Sequence, residues 1–339
     1  MVKTPNRALP VVASEPDEPV RARRDLAAQL RAQGIPIGAK KPPWLRVNVP
    51  GGERFLHVKD TLAALHLHTV CEEARCPNVA ECWAGGTATV MLMGDVCTRG
   101  CRFCNVKTAA RPPPLDPDEP RRLADAIREL HLDYIVVTSV DRDDLPDGGA
   151  AHFAEAIVRL GDVPGLLVEV LTPDFRGDEE AVRTVGKAAP DVFANNLETV
   201  RRLTPAVRDP RSGYDQTLRV LRQMRREFPD IVTKSSIMVG LGEGEAELEE
   251  AMKDLRQVGV DILTLGQYLR PSAWHLPVLE WVAPARFAAY RELGAQLGFR
   301  YVASGPLVRS SYRAAELFLR GEIADRHAEA GGAAGPRAS

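Results

Sequence analysis

The chain has 339 residues, of which 45% are hydrophobic and 27% charged, and its formal net charge is −2. A nearly neutral chain lacks the cationic excess that neutralises phosphates, so we expect no nucleic-acid partner. No stretch approaches the roughly 20 apolar residues that span a bilayer, so we expect no membrane partner. The N-terminal segment has neither the apolar core of a secretory signal nor the acid-poor composition of a transit peptide, which predicts a cytoplasmic protein with reduced thiols.

Both ends of the chain are predicted to be accessory segments. Residues 1–43 are rich in Pro, Arg and Ala without a clear apolar period, which predicts a flexible N-terminal arm, although 18–34 can form a short helix. Residues 44–86 are predicted as an N-terminal extension that carries three of the six cysteines. The main domain is expected over 87–320, followed by a disordered tail of small and polar residues over 321–339.

Between these ends, two kinds of segment alternate. Short apolar, β-branched runs predict strands at 87–94, 133–140, 166–173, 191–197, 231–241, 261–269 and 301–306. Amphipathic segments predict helices at 120–131, 149–161, 212–228, 245–259 and 283–298. This alternation implies right-handed βαβ units, a parallel sheet and an α/β fold that forms a complete or partial barrel.

Polar residues follow most of the predicted strands. A cysteine-rich loop follows the first strand, TSVDRDD (138–144) ends the second, and TPD (172–174) ends the third. The next three strands are followed by NNLETV, MVGLGEGE and GQYLRPS. In barrels of this kind the chemistry lies at the C-terminal ends of the strands. We therefore expect the active site there.

All six cysteines fall in one short stretch, in two groups of three. Cys97, Cys101 and Cys104 form a C-x3-C-x2-C group. A disulfide is disfavoured by the odd number and the reducing compartment, and structural zinc sites use four ligands. Three close thiolates fit a [4Fe–4S] cluster with one iron left open to bind another molecule.

This spacing resembles the signature of the radical S-adenosylmethionine (SAM) superfamily. Two further features are similar to that superfamily: Phe103 lies directly before the last cysteine, and the group follows the first strand. The resemblance implies a partial (β/α)6 TIM-like barrel of the radical SAM type with N- and C-terminal extensions. It also implies that Cys97, Cys101 and Cys104 are catalytic, because they hold a cluster whose open iron binds the methionine part of SAM. One electron from that cluster then cleaves SAM to a 5′-deoxyadenosyl radical, which abstracts hydrogen from unactivated C–H bonds.

Cys71, Cys76 and Cys82 form the other group, with C-x4-C-x5-C spacing. Free cysteines are often simply packed in protein cores, but the charged residues around this group argue against a buried core segment. A second iron–sulfur cluster is the preferred interpretation. C-x4-C-x5-C followed by the radical SAM motif resembles the lipoyl synthases.

A segment near the C-terminus extends this resemblance. GPLVRSSYRA (305–314) is similar to the R-S-S-Y motif of that family, in which the serine beside the tyrosine is the fourth ligand of an auxiliary cluster. The resemblance implies that Ser311 completes the first cysteine group, with Ser310 as an alternative. From the residues alone, a serine that caps the start of a final helix would be preferred.

The resemblance implies a specific reaction: insertion of two sulfur atoms at C6 and C8 of an octanoyl chain on a lysine of a carrier protein. Two [4Fe–4S] clusters and SAM are the implied cofactors, with the auxiliary cluster as the sulfur donor. The implied carriers are the lipoyl domains of 2-oxoacid dehydrogenase E2 subunits and the glycine-cleavage H protein. The further partners expected are an electron donor such as flavodoxin or ferredoxin and an iron–sulfur carrier protein.

Four polar residues lie where the superfamily contacts SAM, namely Thr138, Ser139, Asn196 and Glu198. Each has an equally weighted alternative, since Ser and Thr cap helices while Asn and Glu solvate loops. Lys234 and Arg270 lie at or near strand ends, so they are predicted either to bind the carboxylate or ribose of SAM or to form a barrel salt bridge.

Arg309 is a candidate for a hydrogen bond near the auxiliary cluster, or for a simple ion pair. Three other classes of protein stay open at this point. A two-cluster methylthiotransferase or maturase of the same superfamily generally has its extra cysteines elsewhere, and a two-cluster electron carrier needs no set of βα units. A zinc-stabilised binding module is the third alternative, which iron and acid-labile sulfide analysis distinguishes.

Overall fold

The computed structural model describes residues 18–46, 53–65, 67–69, 78–84 and 87–311. Cys71, Cys76 and the predicted C-terminal tail lie outside these ranges. The described part forms an α/β fold around one large, mostly parallel sheet. None of the described helices is both long and apolar enough to cross a membrane.

The sheet is an open barrel wall. The described strands are β1 (His68–Thr69), β2 (Thr87–Leu92), β3 (Val96–Cys97), β4 (Lys107–Thr108), β5 (Tyr134–Ser139), β6 (Leu167–Leu171), β7 (Val192–Ala194), β8 (Val232–Val239), β9 (Ile262–Gln267) and β10 (Tyr301–Gly305). The large sheet has the order β1-β2-β5-β6-β7-β8-β9-β10, and β3 pairs with β4. All neighbours in it are parallel except β1, which is antiparallel to β2. Because the order is linear, the described wall is a partial barrel, as predicted.

Helices cover the outer face of this wall. The described α-helices are α1 (Glu18–Gln33), α2 (Glu53–Ala64), α3 (Val79–Ala84), α4 (Glu119–Leu130), α5 (Ala150–Gly161), α6 (Glu179–Lys187), α7 (Thr204–Val207), α8 (Tyr214–Glu227), α9 (Glu245–Gln257) and α10 (Pro284–Gln296). In α4, Leu123, Ile127 and Leu130 repeat at helical spacing and are buried. The predicted strands and helices of the main domain are confirmed, with small differences in their bounds.

The two faces of the sheet bury different cores. Residues alternate between faces along a strand, so Tyr134 and Thr138 of β5 share the inner, concave face. A small cluster on that face packs Tyr134 with Val192 and Val232. A much larger cluster, which includes Ile135, lies between the sheet and the helices. Near the C-terminal ends of the strands the inner face is not filled, and Thr138 there lines a cavity.

The helix α1 docks on the barrel, which differs from the flexible arm predicted for residues 1–43. Its residue Leu30 is buried in the large core. Beyond the helix, the Ile35 N–H donates to the carbonyl oxygen of Val278 at 2.7 Å. Gly34 packs so closely against Pro277 that an added Cβ would lie 2.1 Å from its ring. In the described part of this segment the alternative of a short helix is therefore the one observed, and the flexible arm as a whole stays a prediction.

Candidate functional site

A cavity of about 380 Å³ opens at the C-terminal ends of the parallel strands. Its wall comes from the cysteine loop after β2, from the ends of β5 to β9, and from the segment after β10. The candidate residues that line it are Cys97, Cys101, Cys104, Thr138, Ser139, Asn196, Glu198, Arg309, Ser310 and Ser311. A cavity therefore lies at the strand ends where the active site is predicted.

Backbone N–H groups point at sulfur atoms of the cysteine loop. The Sγ of Cys97 accepts hydrogen bonds from the N–H groups of Arg99 and Asp141 at 3.4 and 3.3 Å. The Sγ of Cys101 accepts one from the N–H of Asp209 at 3.3 Å. Hydrogen bonds of this kind stabilise sulfur ligands and tune the potential of an iron–sulfur cluster.

The thiols of this loop need a bound cation to ionise. Burial raises the pKa of Cys97 and Cys101 to about 12 and that of Cys104 to about 11. A coordinating metal deprotonates a thiol outright. Within the described ranges, no three His, Cys, Asp or Glu side chains come close enough to share one metal ion. In a [4Fe–4S] cubane each thiolate binds its own iron, so three separate sulfurs with backbone donors fit that group.

Arg99 connects the cysteine loop to the ends of two strands. Its side chain is 2% exposed, and its guanidinium pairs with Asp141, Asp143 and Asp174 at 3.2, 2.8 and 2.8 Å. It also donates to the hydroxyl of Ser212 at 3.0 Å. Charge-assisted bonds of this number fix the loop relative to β5 and β6. The sequence analysis does not select Arg99 or these aspartates, although their acidic positions after the strands are visible in TSVDRDD and TPD.

Burial raises the pKa of two carboxyl groups in the cavity wall. Burial raises the pKa of Asp141 to about 6, although the Arg99 guanidinium opposes that shift. Burial also raises the pKa of Glu198, against the charge of Arg208 and a hydrogen bond from the Asn196 amide at 3.2 Å. Both positions would favour a cationic group of a ligand, because it would stabilise the ionised carboxylate.

Four buried polar atoms in the same wall have no hydrogen-bond partner among the described residues, and they include Ser139 Oγ and Asn196 Oδ1 of the predicted SAM residues. The other two are Asp174 Oδ2 and Asn195 Oδ1. Thr138 differs from them, since its hydroxyl donates to the Leu171 carbonyl oxygen at 2.8 Å. Buried polar atoms without partners cost free energy unless a ligand or water pairs with them. The donor and acceptor set of this wall therefore fits a polar, cationic ligand such as SAM.

Lys234 does not lie in the cavity wall. Its side chain is 2% exposed, and its Nζ contacts the two carboxylate oxygens of Glu169 at 2.7 and 2.8 Å. The Tyr134 hydroxyl donates to the same carboxylate. Lys234 shares the inner face with Ser236 of the wall but lies two residues closer to the N-terminal end of β8. The salt-bridge alternative for Lys234 is confirmed, and the contact with SAM stays a prediction that the cavity wall does not support.

Arg270 also lies outside the cavity wall, although Leu269 and Pro271 beside it line the cavity. Its guanidinium donates to the carbonyl oxygens of Ser272 and Ala273 at 3.0 and 2.6 Å. The side chain therefore turns back onto its own loop, because those carbonyls satisfy it locally. Arg270 therefore does not contribute to the cavity wall, and its contact with SAM stays a prediction.

The segment after β10 forms one side of the cavity with Arg309, Ser310 and Ser311. Its backbone passes so close to Gly266 of β9 that an added Cβ there would lie 2.0 Å from the Val308 carbonyl oxygen. The Nη1 of Arg309 donates to the backbone carbonyl oxygens of Val308 at 2.8 Å and of Gln267 at 3.3 Å. Position 266 therefore requires glycine, because a side chain there would collide with the neighbouring backbone.

Asn78 joins the helix that bears Cys82 to the segment after β10. Its side-chain amide donates to the Leu307 carbonyl oxygen at 2.6 Å, and Asn78 is itself 5% exposed. Cys82 lies on the adjoining helix α3 and is buried, but it does not line the cavity. Cys71 and Cys76 lie outside the described residues. Asn78 is missed by the sequence analysis, because its partner is far away in the chain.

The fold and the cysteine loop define a class of enzyme. The family model described as the Radical SAM superfamily matches residues 91–255. This match, together with the three thiols at the mouth of a partial barrel, shows an enzyme of that superfamily, which uses SAM and a [4Fe–4S] cluster. A second model, the N-terminal domain of lipoyl synthase of the radical SAM family, matches residues 14–76.

Curated relatives identify the family within this class. A lipoyl synthase of Anaeromyxobacter dehalogenans is 82% identical over 290 residues, which are 86% of this chain and 99% of that protein. Those of Myxococcus xanthus and Thermus thermophilus are 62% and 58% identical, over 83% and 85% of this chain and 95% and 90% of theirs. The chain belongs to the lipoyl synthase family.

Among solved structures, methylornithine synthase aligns with 73% of this chain and 82% of its own, at a TM-score of 0.49 and 13% identity.

Proposed function

We propose that this enzyme inserts two sulfur atoms at C6 and C8 of a protein-bound N6-octanoyl-lysine, with an auxiliary [4Fe–4S] cluster as the sulfur donor. The observation that carries the proposal is a single cavity lined both by the C-x3-C-x2-C cysteines and by Ser310 and Ser311 of the R-S-S-Y segment. The family assignment by an 82% identical relative supports it.

Cys97, Cys101 and Cys104 would hold the SAM-binding cluster, and Cys71, Cys76, Cys82 and Ser311 would hold the auxiliary one. When bound, these groups supply a hydrogen-abstracting radical from SAM and sulfide for the carbon chain. The hydrogen bond from Asn78 to Leu307 supports the second set of ligands, because it ties the helix of Cys82 to the serine segment.

Four residues are proposed to bind SAM in this cavity. Ser139 and Asn196 offer unpartnered oxygen atoms, and Glu198 offers a carboxyl whose raised pKa a cationic group would lower. Thr138 uses its hydroxyl hydrogen on the Leu171 carbonyl, so its oxygen remains an acceptor. Arg309 is proposed to hold the backbone beside Ser311 in place, since it bonds two carbonyl oxygens there.

Apolar side chains in the same wall suit the alkyl part of the substrate. Met91, Leu171 and Met238 line the cavity, and flexible Met side chains adapt to an alkyl chain. Below them the Lys234–Glu169 pair fills the inner face and sets a floor to the space. With substrate bound, these apolar side chains would keep water from the reacting carbons and protect a radical from side reactions.

The carriers proposed are octanoylated lipoyl domains of 2-oxoacid dehydrogenase E2 subunits and the glycine-cleavage H protein. Flavodoxin or ferredoxin is proposed as the reductant, and an iron–sulfur carrier protein as the source of new auxiliary clusters. We place the reaction in the cytoplasm, where reduced thiols are available as ligands.

Two cysteine variants test which cysteine group is needed for SAM cleavage and which for sulfur insertion. Cys101→Ala is expected to abolish SAM cleavage, measured as 5′-deoxyadenosine after anaerobic reconstitution. Cys76→Ala is the matched control, expected to retain SAM cleavage and to lose sulfur insertion, measured as the mass of an octanoyl-lysyl peptide. Cleavage by the first variant, or unimpaired insertion by the second, would refute the assignment of the respective cluster.

A further inference from the structure

A basic and aromatic surface lies outside the cavity, beside the cysteine loop. Trp274 is 49% exposed, and the Arg102 guanidinium lies 4.2 Å from the centroid of its ring. From helix α1, Arg31 donates to the Trp274 carbonyl oxygen at 2.9 Å. The charges of Arg23 and Arg31 both act on Arg102, and Arg24 lies about two helical turns before Arg31, on the same side of α1. We call the surface formed by Arg23, Arg24, Arg31, Arg102 and Trp274 the Trp274 face.

The Trp274 face is joined directly to the cluster ligands. Arg102 follows Cys101 in the chain, and its carbonyl oxygen accepts from the Leu276 N–H at 3.1 Å. The ring of His275, packed edge-on against Trp274 at 5.0 Å, donates from Nε2 to the Cys104 carbonyl oxygen at 2.8 Å. A group seated on Trp274 is therefore separated from two predicted iron ligands by one layer of side chains.

None of the five residues of the Trp274 face lines the cavity. The cysteine loop thus has two sides: one faces SAM and substrate, and the other faces this surface. An octanoyl chain has to enter the cavity, whose wall contains Ser310 and Ser311, so its carrier is expected to dock at the cavity mouth. A partner on the Trp274 face cannot deliver a substrate but is close to the cluster.

The charge of the Trp274 face is strongly positive although the chain as a whole is slightly negative. Residues 18–46 contain seven Arg or Lys residues and two acidic ones. The pKa of Arg102 is lowered by burial and then by the neighbouring charges of Arg31 and Arg23. Within the described residues, neither Arg31 nor Arg102 forms an ion pair. A concentrated charge of one sign attracts a partner of the opposite sign and speeds its association.

We propose that the Trp274 face is the docking site for an acidic one-electron carrier protein, which reduces the SAM-binding cluster from the side opposite the cavity. The proposal rests on the proposed function, because each SAM cleavage consumes one electron. In the transfer the carrier loses one electron and the cluster gains it, with no bond made or broken. Trp274 and the arginines position the carrier, and the cavity stays closed to it.

The test compares two double charge reversals in the reconstituted holoprotein. Arg24→Glu/Arg31→Glu changes exposed residues of the Trp274 face, and Arg219→Glu/Arg222→Glu makes the same change on the exposed side of α8. The first measurement is the affinity for an oxidised acidic ferredoxin by calorimetry. The first variant is expected to bind about tenfold more weakly, and its residual binding to depend less on salt, whereas the control binds like the wild type.

The second measurement is the rate of cluster reduction by stopped-flow absorbance, with the reduced ferredoxin or with the methyl viologen radical cation. Reduction by ferredoxin is expected to slow in Arg24→Glu/Arg31→Glu, while reduction and sulfur insertion driven by viologen stay unchanged. Trp274→Ala, which alters no charge, is expected to slow the ferredoxin reaction as well.

Equal ferredoxin affinity and equal reduction rates in all the variants would overturn the docking proposal. Weaker binding of an octanoylated lipoyl domain with unchanged ferredoxin binding would also overturn it, by assigning the face to the substrate carrier. A wild-type protein that is reduced by viologen but inserts no sulfur would instead contradict the proposed function, so the two failures are distinguishable.

Discussion

The inner face of the barrel has polar and charged side chains at two levels, which differ in whether those groups are paired within the fold. At the floor, Lys234 contacts both oxygens of Glu169, and the Tyr134 hydroxyl donates to the same carboxylate. At the mouth, Ser139 Oγ and Asn196 Oδ1 have no partner among the described residues. At the floor the charged groups are paired with one another, whereas the mouth has polar atoms and carboxyl groups that a ligand could pair with.

This difference shows that burial alone does not identify a functional residue. The Lys234 side chain is 2% exposed, yet its charge is paired with that of Glu169 within the fold. Glu198 is at the mouth, where burial raises the pKa of its carboxyl and its main chain has a positive φ of 70°. A strained backbone and an unmatched carboxyl are costs that a fold retains at functional sites. The predictions that follow compare the two levels.

The largest effect is expected for Arg99 at the mouth. Arg99→Met would leave Asp141, Asp143 and Asp174 without their shared cation, and breaking a buried charge network typically costs about 3–5 kcal/mol. We expect that loss in the free energy of unfolding, measured in urea, together with a loss of SAM cleavage. Arg142→Met is the control, since Arg142 is equally buried but pairs with Asp144, whose side chain is 25% exposed. Equal losses in the two variants would contradict the role of Arg99.

Lys234→Met at the floor is expected to reduce stability without changing SAM binding. Uncompensated burial of Glu169 costs about 3–4 kcal/mol, and the double variant Lys234→Met/Glu169→Leu restores most of it because no buried charge remains. Thermal unfolding measures the loss, and the KM for SAM is the second readout. An increase of that KM in a stably folded double variant would return Lys234 to the SAM site.

Gly266→Ala is expected to displace the serine segment. The added methyl group would meet the Val308 carbonyl oxygen at 2.0 Å, and overpacking of this kind costs about 1–3 kcal/mol. Because the segment bears Ser311, sulfur insertion is expected to fall more than SAM cleavage, measured in the same reaction. Gly161→Ala is the control, since nothing lies within 4 Å of a Cβ added there. Equal loss of both activities in Gly266→Ala would count against a role of the segment in the auxiliary site.

The smallest effect on stability is expected for Asn196→Ala, which acts on SAM binding instead. Losing one hydrogen bond to a charged ligand costs about 1.5–3 kcal/mol, which is roughly 10- to 150-fold in the KM for SAM. Stability is expected to change little or to rise, because the variant removes the buried unpartnered Oδ1. An unchanged KM would show that Asn196 solvates its loop, which is the alternative that the sequence leaves open.

The sequence predicts the parts of this molecule that depend on local pattern. Strand and helix positions follow from apolar periods, and the cysteines proposed as iron ligands are found from their spacing, because both signals lie within a few consecutive residues. The direction of the strands is enough to place Thr138, Ser139, Asn196 and Glu198 at one cavity.

Long-range partners are what the sequence does not predict. Arg99 and Asp174 are 75 residues apart, and Asn78 and Leu307 are 229 apart, so no local pattern links them. The depth of Lys234 in the barrel depends on the register of β8 with β7 and β9. The alternation of apolar and polar residues along the sequence does not determine that register. The docking of α1 likewise depends on Pro277, which is distant in the chain.

The central claim is that one cavity serves both clusters in a single sulfur-insertion reaction. The most direct test incubates the reconstituted protein anaerobically with SAM, a low-potential reductant and an octanoyl-lysyl peptide, and follows peptide mass and 5′-deoxyadenosine together. We predict a peptide that gains two sulfur atoms, with one deoxyadenosine formed for each sulfur. Protein shown to contain both clusters that forms deoxyadenosine but leaves the peptide free of sulfur would contradict the account.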